Sequence, residues 1–115
     1  MYTFENLQYI VNEALAQEEF VKEPSELYEP IQYALDAGGK RLRPVIALMA
    51  YNLFEDDIHS NITPILGLEI FHNFTLIHDD IMDRASMRRS KPTIHNKWND
   101  NVAILSGDAM FIKAY

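Results

Sequence analysis

The stretch PILGLEIFHNFTLIHDDIMDR, residues 64–84, predicts a long helix in this chain. Its apolar residues keep the spacing of a helical face, which indicates a helix that begins around residues 61–64 and ends near Arg84. Glu69, His72 and Asn73 interrupt the apolar residues, so the stretch is too polar to cross a membrane. The helix is therefore expected to pack inside a water-soluble bundle.

Helical periodicity also runs through the segments before this stretch. An N-terminal amphipathic helix is indicated by apolar residues at spacings of three and four, namely Phe4, Leu7, Ile10, Val11, Ala14 and Leu15. Pro30 is expected in the first turn of a second helix, which stops at Gly38–Gly39. A third helix is expected to begin near Leu42–Pro44 and to continue through Leu53.

The C-terminal segment completes an all-α prediction. Residues 86–99 have no periodicity and are expected to form a long loop. Asn99 or Asp100 is expected to cap a last helix that runs from Val102 to Tyr115. This helix stops in mid-pattern without a glycine or proline, so we expect the chain to be part of a larger protein.

Composition limits the class of protein. The 115 residues predict one small domain or part of a larger one, and the hydrophobic content of 48% is enough for a core. Seventeen acidic and ten basic residues give a formal net charge of −7, which argues against binding to nucleic acid or to an anionic membrane. The chain has no cysteine, so thiolate chemistry is excluded. The acidic N-terminus lacks the features of a secretory signal, and a cytoplasmic protein is expected.

Three aspartates near the end of the predicted long helix are candidate metal ligands. Residues four apart lie about 6 Å apart on one helical face, so Asp79 and Asp83 project together. Asp80 is rotated by about 100° from Asp79. Such like charges repel each other unless a cation neutralises them, and Mg²⁺ prefers oxygen ligands of this kind. The alternative is a solvated acidic patch.

The motif GGKRLRP, residues 38–44, is a candidate phosphate site. Its two glycines allow a backbone to approach a ligand closely, and Lys40, Arg41 and Arg43 stand near the start of the third helix. Basic side chains at a helix N-terminus oppose the helix dipole, and a bound phosphate would remove that cost. The alternative is a turn with exposed bases.

Two further basic features follow the same logic. Arg88 and Arg89 have the planar guanidinium groups that suit bidentate phosphate contacts, although they are also suited to act as counter-charges for the aspartates. His72 lies two helical turns before Asp79, either as a ligand-binding residue or as a core histidine. Together, these clusters predict Mg²⁺-dependent diphosphate chemistry in a helical bundle.

Four motifs in this order resemble the trans-type isoprenyl diphosphate synthases, also called polyprenyl synthetases. They are GGKRLRP at 38–44, FHNFTLIHDDIMD at 71–83, the arginine pair at 88–89, and SGDA at 106–109. The resemblance runs from about Tyr28 to the last residue. It implies an isoprenoid-synthase-type bundle of helices around a central cavity. It also implies a chain-elongating prenyltransferase of isoprenoid biosynthesis, which condenses an allylic diphosphate with isopentenyl diphosphate.

The resemblance implies roles for individual residues. Asp79 and Asp83 would bind Mg²⁺ at the allylic diphosphate, and Asp80 would support them as part of the same catalytic motif. Arg88 would contact the allylic diphosphate. Isopentenyl diphosphate would be held by four residues, Lys40, Arg43, His72 and Arg89. Phe74, five residues before Asp79, would floor the cavity and limit the product to about C15 to C20.

Family membership carries expectations about the whole protein as well. The 115 residues would be the N-terminal part of a single all-α domain that forms a homodimer in the cytoplasm. A second aspartate-rich motif would lie beyond Tyr115, so the isolated fragment would be inactive. The family commonly has glycine after the arginine pair, where this chain has Ser90, and this difference concerns the conformation of the loop more than the arginine roles.

Two alternatives remain at this point. One is a fragment of a class I terpene cyclase, which also carries the DDxxD motif. The basic residues Lys40 and Arg43 argue against it, because a cyclase holds no second diphosphate substrate. The other is a non-catalytic helical module whose charged residues only pair with each other.

Overall fold

The computed structural model describes residues 2–18, 20 and 22–115. Within these residues, the elements in chain order are α1 (Phe4–Gln17), α2 (Ser25–Asp36), α3 (Leu42–Asn52), a 3-10 helix (Ile58–Asn61), α4 (Ile62–Met82), β1 (Met87–Arg88), β2 (Lys91–Pro92), α5 (Ile94–Lys97) and α6 (Asp100–Ala114). The all-α prediction is confirmed. In this part of the chain, no helix is both long and apolar enough to span a bilayer.

The helix α4, predicted from the opening stretch, is the centre of the fold. It packs along α6 and also contacts α1, α2 and α3. Each of these helices buries an apolar stripe against the others, which removes apolar surface from water. The buried apolar residues include Leu7, Val11, Leu15, Ile31, Leu35, Val45, Leu48, Leu66, Ile70, Ile77, Ala103 and Met110.

The motif SGDA at 106–109 lets α6 approach α4 closely. Gly107 faces His78, and a Cβ atom at position 107 would overlap the His78 imidazole ring. A larger residue at position 107 would therefore force the His78 ring to move. On the other face of α6, the buried Ser106 Oγ donates to the Leu27 carbonyl of α2 at 2.8 Å. The motif therefore joins three helices.

Side chains cap the N-termini of α1 and α6. Thr3 caps α1, since its side chain accepts from the amide of Asn6. Asn99 caps α6, with its side-chain oxygen 2.8 Å from the Val102 nitrogen, so this predicted cap is confirmed. The expected position of Pro30 is wrong. The helix α2 already begins at Ser25, and Pro30 lies inside it, fully buried in the core. Burial of the ring there offsets the backbone hydrogen bond that proline cannot donate.

The expected long loop after α4 contains regular structure. Met87–Arg88 and Lys91–Pro92 form an antiparallel hairpin in which Arg88 pairs with Lys91. The two turn residues, Arg89 and Ser90, have φ angles of 52° and 63°. Positive φ at both positions is the signature of a type I′ turn, which usually contains glycine. The sequence hid this hairpin because serine stands at the position where glycine would signal the turn.

Replacing Ser90 with glycine is expected to stabilise the protein. The left-handed conformation costs a non-glycine residue about 1–2 kcal/mol, whereas glycine adopts it freely and loses only about 0.5–1 kcal/mol in chain entropy. Ser90→Gly should therefore raise the free energy of unfolding by about 0.5–1 kcal/mol, measured by urea denaturation. Ser86→Gly, at a nearby position outside the positive-φ residues, is the control and should lower it. Equal changes in the two variants would contradict a strained turn at Ser90.

Candidate active site

Three segments meet beside the C-terminal half of α4. They are the glycine loop with the start of α3, the last turns of α4 itself, and the hairpin that carries Arg88 and Arg89. A cavity between α2, α4 and the hairpin has apolar walls that include Ala34, Leu76 and Ile77, with charged groups at Asp80, Arg88 and Arg89. An apolar cleft with a few convergent charges is the usual form of a small-molecule site.

The three aspartates have different environments. Asp79 and Asp83 are exposed on consecutive turns, and the Asp83 amide donates to the Asp79 carbonyl at 2.8 Å. Asp80 is buried and pairs with Arg88 in a bidentate contact. Arg88 Nε lies 2.8 Å from Oδ2, and Nη2 lies 2.8 Å from Oδ1. Asp80 therefore holds an arginine, while Asp79 and Asp83 face solvent.

Arg88 is held as a permanent cation. Its pKa is raised above the usual value, mainly by the hydrogen bonds to Asp80 and further by the negative charges of Asp80, Asp79 and Asp83. Bidentate pairing also restricts the rotamers of the guanidinium group. The buried carboxylate thus fixes a positive charge beside the two exposed aspartates.

The exposed aspartates fit Mg²⁺ only in combination with a ligand. In the described residues, no group of three or more His, Asp or Glu side chains is placed to hold a metal ion. Mg²⁺ commonly takes one or two protein carboxylates and completes its shell with water and phosphate oxygens. Asp79 and Asp83, one turn apart and free of the Arg88 pair, match that donor set. Asp79 and Asp83 could therefore hold Mg²⁺ when the ion binds together with a phosphate-containing substrate.

Arg43 and His72 come together across the junction of α3 and α4. Arg43 Nη1 lies 3.2 Å from His72 Nε2. Because a guanidinium group can only donate, Nε2 accepts and the proton of neutral His72 is on Nδ1. The pKa of His72 is lowered, first by burial and then by repulsion from Arg43. His72 is thus a neutral donor through Nδ1 in a cluster of cations.

This arrangement predicts the titration of His72. Its midpoint should lie below 6.5, and Arg43→Met should raise it only part of the way because burial is the larger cause. Since the unfolded chain binds this proton more tightly, the contribution of His72 to stability is present above pH 6.5 and is lost as the pH falls below it. NMR of the imidazole carbons gives the midpoint. Arg84→Met, which removes an exposed arginine paired with Asp100, should leave the midpoint unchanged; an equal shift in both variants would rule out a local effect of Arg43.

The two glycines of the loop bring it against Arg89. Gly38 and Gly39 have φ angles of 88° and 126°. The Gly38 carbonyl accepts from Arg89 Nη1, and a Cβ at position 39 would lie 2.8 Å from Arg89 Nη2. Burial lowers the pKa of Arg89, and repulsion from Arg41 adds to the effect. Lys40 follows directly with an exposed side chain, so the loop groups Lys40 with Arg89.

Arg41 corrects the expectation of three ligand-binding bases in the GGKRLRP motif. It is only 5% exposed and donates to three acceptors. These are the Leu35 carbonyl at 2.7 Å, Asn12 Oδ1 at 3.0 Å and Glu69 Oε1 at 3.3 Å. The Glu69 carboxylate neutralises its charge, so no phosphate is needed for that purpose. The sequence pattern could not reveal this pair, since Arg41 precedes α3 and Glu69 lies 28 residues further along the chain in α4.

Phe74 belongs to an aromatic cluster between α4 and α6. Its ring centroid lies 5.3 Å from Phe71, 5.2 Å from Phe111 and 5.0 Å from the His78 ring. The contacts with Phe71 and His78 are edge-to-face, a geometry that aromatic pairs prefer, and the contact with Phe111 is tilted. Phe71, Phe74 and His78 follow helical spacing in α4, so periodicity could have found that part. Phe111 comes from α6 and required the tertiary structure.

Comparison with known proteins gives this site a context. The sequence matches the model of the polyprenyl synthetase family over residues 24–115. It is 46% identical over 95 residues to the geranylgeranyl diphosphate synthase of Methanosarcina mazei. This alignment covers 83% of this chain and 29% of that protein. It is 43% identical over 96 residues to the short chain isoprenyl diphosphate synthase of Methanocaldococcus jannaschii, and this alignment covers 84% of this chain and 29% of that protein.

Solved structures agree with the sequence comparison. A crystal structure of a geranylgeranyl pyrophosphate synthase superposes with a TM-score of 0.95 at 46% identity, covering 100% of this chain and 35% of the other. The geranylgeranyl pyrophosphate synthetase of the archaeon Geoglobus acetivorans gives a TM-score of 0.90 at 42% identity, covering 96% and 36%. The chain spans about a third of the length of these relatives. By both sequence and fold, it belongs to the polyprenyl synthetase family.

Proposed function

We propose that the protein is a chain-elongating prenyltransferase that condenses an allylic diphosphate with isopentenyl diphosphate to give a short-chain product. One observation carries this proposal. Beside the end of α4, two exposed carboxylates and an arginine fixed by Asp80 adjoin a second, separately held group of cations on the glycine loop and α3. Two such groups would accommodate two anionic substrates, one at each group.

The first group would hold the allylic diphosphate. Arg88 would donate to its oxygens, and Asp80 would keep the guanidinium in place. Asp79 and Asp83 would hold Mg²⁺, which neutralises charge on the departing diphosphate. A fixed cation at the point where negative charge develops lowers the barrier without reorganisation during the reaction.

The second group would hold isopentenyl diphosphate through Lys40, Arg43, His72 and Arg89. Arg43 and Arg89 supply permanent charges, and Lys40 adds an exposed ammonium group. Neutral His72 would donate through Nδ1, because its Nε2 already accepts from Arg43. Charge-assisted hydrogen bonds of this kind orient the substrate as well as bind it.

The reaction would then proceed by ionisation and addition. The carbon–oxygen bond of the allylic diphosphate breaks, and its electron pair leaves with the diphosphate. The double bond of isopentenyl diphosphate attacks the resulting allylic cation and forms the new carbon–carbon bond. Loss of a proton restores a double bond. The residues of this chain would position both diphosphates so that the reacting carbons face each other.

Phe74 would limit the length of the product. The support is its fixed position against Phe71 and Phe111, where an aromatic wall would stop a growing apolar chain. The curated relatives with geranylgeranyl and geranylfarnesyl names are consistent with a short product. Replacement of Phe74 by alanine should lengthen the product, as read by chromatography of the dephosphorylated alcohols.

We further propose that the chain is the N-terminal part of one all-α domain of a cytoplasmic homodimer. The support for a longer domain is the coverage of 29% of the relatives. Exposed apolar residues on α6, such as Leu105 and Ile112, indicate a surface that other parts of the protein would cover. The 115-residue chain alone should be inactive, because it spans only 29% of the curated relatives and would lack the rest of the domain that encloses both substrates.

The test is a turnover assay of the full-length protein. With Mg²⁺, radiolabelled isopentenyl diphosphate and an allylic diphosphate, label should enter a longer prenyl product. A terpene cyclase would consume the allylic diphosphate without incorporating label. A non-catalytic module would show neither turnover nor a thermal shift with Mg²⁺ and diphosphates. Either result would overturn the proposal.

A further inference from the structure

A buried carboxylate below the second group of cations has no part in the function proposed above. Glu69 is 2% exposed and lies on α4 close to one turn before His72. Its Oε1 accepts from Arg41 Nη1 at 3.3 Å and from Asn73 Nδ2 at 3.0 Å. Burying a charge is costly unless it is paired and hydrogen-bonded, as it is here. Glu69 is therefore one end of a buried polar network.

The other end of this network is the glycine loop. Arg41 has a φ of 55°, in the left-handed region, and immediately precedes α3. Besides Glu69, it bonds Asn12 of α1 and the Leu35 carbonyl of α2. A non-glycine residue keeps such a conformation when its surroundings hold it there. Arg41 thus locks the loop to three helices, and Glu69 supplies the charge that keeps the arginine buried.

The locked loop carries several of the groups that would bind isopentenyl diphosphate. Lys40 directly precedes Arg41, and Arg43 follows it by two residues on the first turn of α3. Arg89 is held by the Gly38 carbonyl of the same loop. If Arg41 left its buried position, Lys40, Arg43 and Arg89 would lose their mutual spacing. Among the described residues, none of these three is hydrogen-bonded to Glu69, so Glu69 would act on them only through Arg41.

We propose that Glu69 is a positioning residue for the isopentenyl diphosphate site, acting through Arg41 on the loop at 38–41. This inference rests on the proposed function. It also separates the two substrates. The allylic site is fixed by the Asp80–Arg88 pair, which makes no hydrogen bond to Arg41 or Glu69 among the described residues, so loss of the Glu69 charge should affect mainly the isopentenyl diphosphate site.

The experiment measures both substrates in the full-length enzyme. Glu69→Gln keeps the size of the side chain and an acceptor for Asn73 but removes the charge. The KM for isopentenyl diphosphate should rise about tenfold, with the KM for the allylic diphosphate changed by less than about twofold. Glu69→Asp, which keeps the charge on a shorter side chain, should give a smaller rise in the same KM.

Leu66→Ala is the matched control, because Leu66 is buried on the same helix and has no polar contact to the loop. It should lower the melting temperature without a selective change in either KM. The inference fails if Glu69→Gln leaves the KM for isopentenyl diphosphate unchanged, or if both variants raise both KM values alike. Calorimetric titration with isopentenyl diphosphate alone gives a second measure, in which Glu69→Gln should weaken binding about tenfold. Absence of turnover in the unmutated enzyme would instead count against the proposed function, so the two failures are distinct.

Discussion

Under the proposed function, Asp79→Ala and Asp83→Ala should each lower kcat of the full-length protein by about 10²–10³-fold, comparable to the loss of one preorganised group that stabilises transition-state charge. Both side chains are exposed and free of the Arg88 pair, so they are available to Mg²⁺. Ionisation of the allylic diphosphate requires neutralisation of the departing charge. Steady-state assays over a range of Mg²⁺ concentrations measure the effect, and the Mg²⁺ concentration for half-maximal rate should rise.

The control for these variants is an exposed carboxylate distant from the site. Glu13 on α1 is exposed, and Glu13→Ala should leave both kcat and the Mg²⁺ dependence unchanged. Thermal unfolding of the Asp79 and Asp83 variants should resemble that of the unmutated protein, because removal of one of two repelling charges is not destabilising. Unchanged turnover in both aspartate variants would show that the metal assignment is wrong.

Arg41→Met should destabilise the protein by about 3–5 kcal/mol, since it leaves the Glu69 carboxylate buried without its partner. Both side chains are almost completely buried, so solvent does not screen the lost interaction. The variant also removes the bonds that hold the loop to Asn12 and Leu35. Chemical denaturation monitored by circular dichroism gives the free energy of unfolding.

A double variant separates the charge from the packing. Arg41→Met combined with Glu69→Leu removes both charges and should recover most of the lost stability, because a buried ion pair is often replaceable by apolar residues of similar size. Arg84→Met breaks an exposed pair with Asp100 and should change stability by less than about 1 kcal/mol. If Arg41→Met is as mild as Arg84→Met, the buried pair is not the constraint that the distances indicate.

The sequence was sufficient where local chemistry determines the result. Helical periodicity predicted the long helix that became α4, and of the two expected caps of the last helix, Asn99 and Asp100, it is Asn99 that caps it. The helical repeat places Asp80 on a different face of α4 from Asp79 and Asp83. In the structure, Asp80 is buried and the other two aspartates are exposed. The two glycines of GGKRLRP were predicted to end a helix and to allow a close approach of the backbone, and both have positive φ angles in the loop after α2.

Predictions from local sequence patterns were wrong where packing or backbone strain decided the conformation. Pro30 lies inside α2 because its ring is buried in the core, which a helix-start preference does not include. The hairpin at 87–92 was missed because Ser90 occupies a position at which glycine would have marked the turn. The position of Pro30 depends on packing against residues distant in sequence. The turn at Ser90 depends on a strained backbone conformation that the identity of the residue does not reveal.

By itself, the sequence determined an all-α fold, the family, and the residue types of the proposed site for two diphosphates. These depend on periodicity and on motifs, which are local and survive without coordinates. Only the tertiary structure decided which charges are available to ligands. Arg41 pairs with Glu69 and Asp80 with Arg88, whereas Asp79 and Asp83 remain open to solvent. The reason is physical: a charge is used for structure when folding buries it against a partner, and burial is a property of packed helices rather than of any one segment.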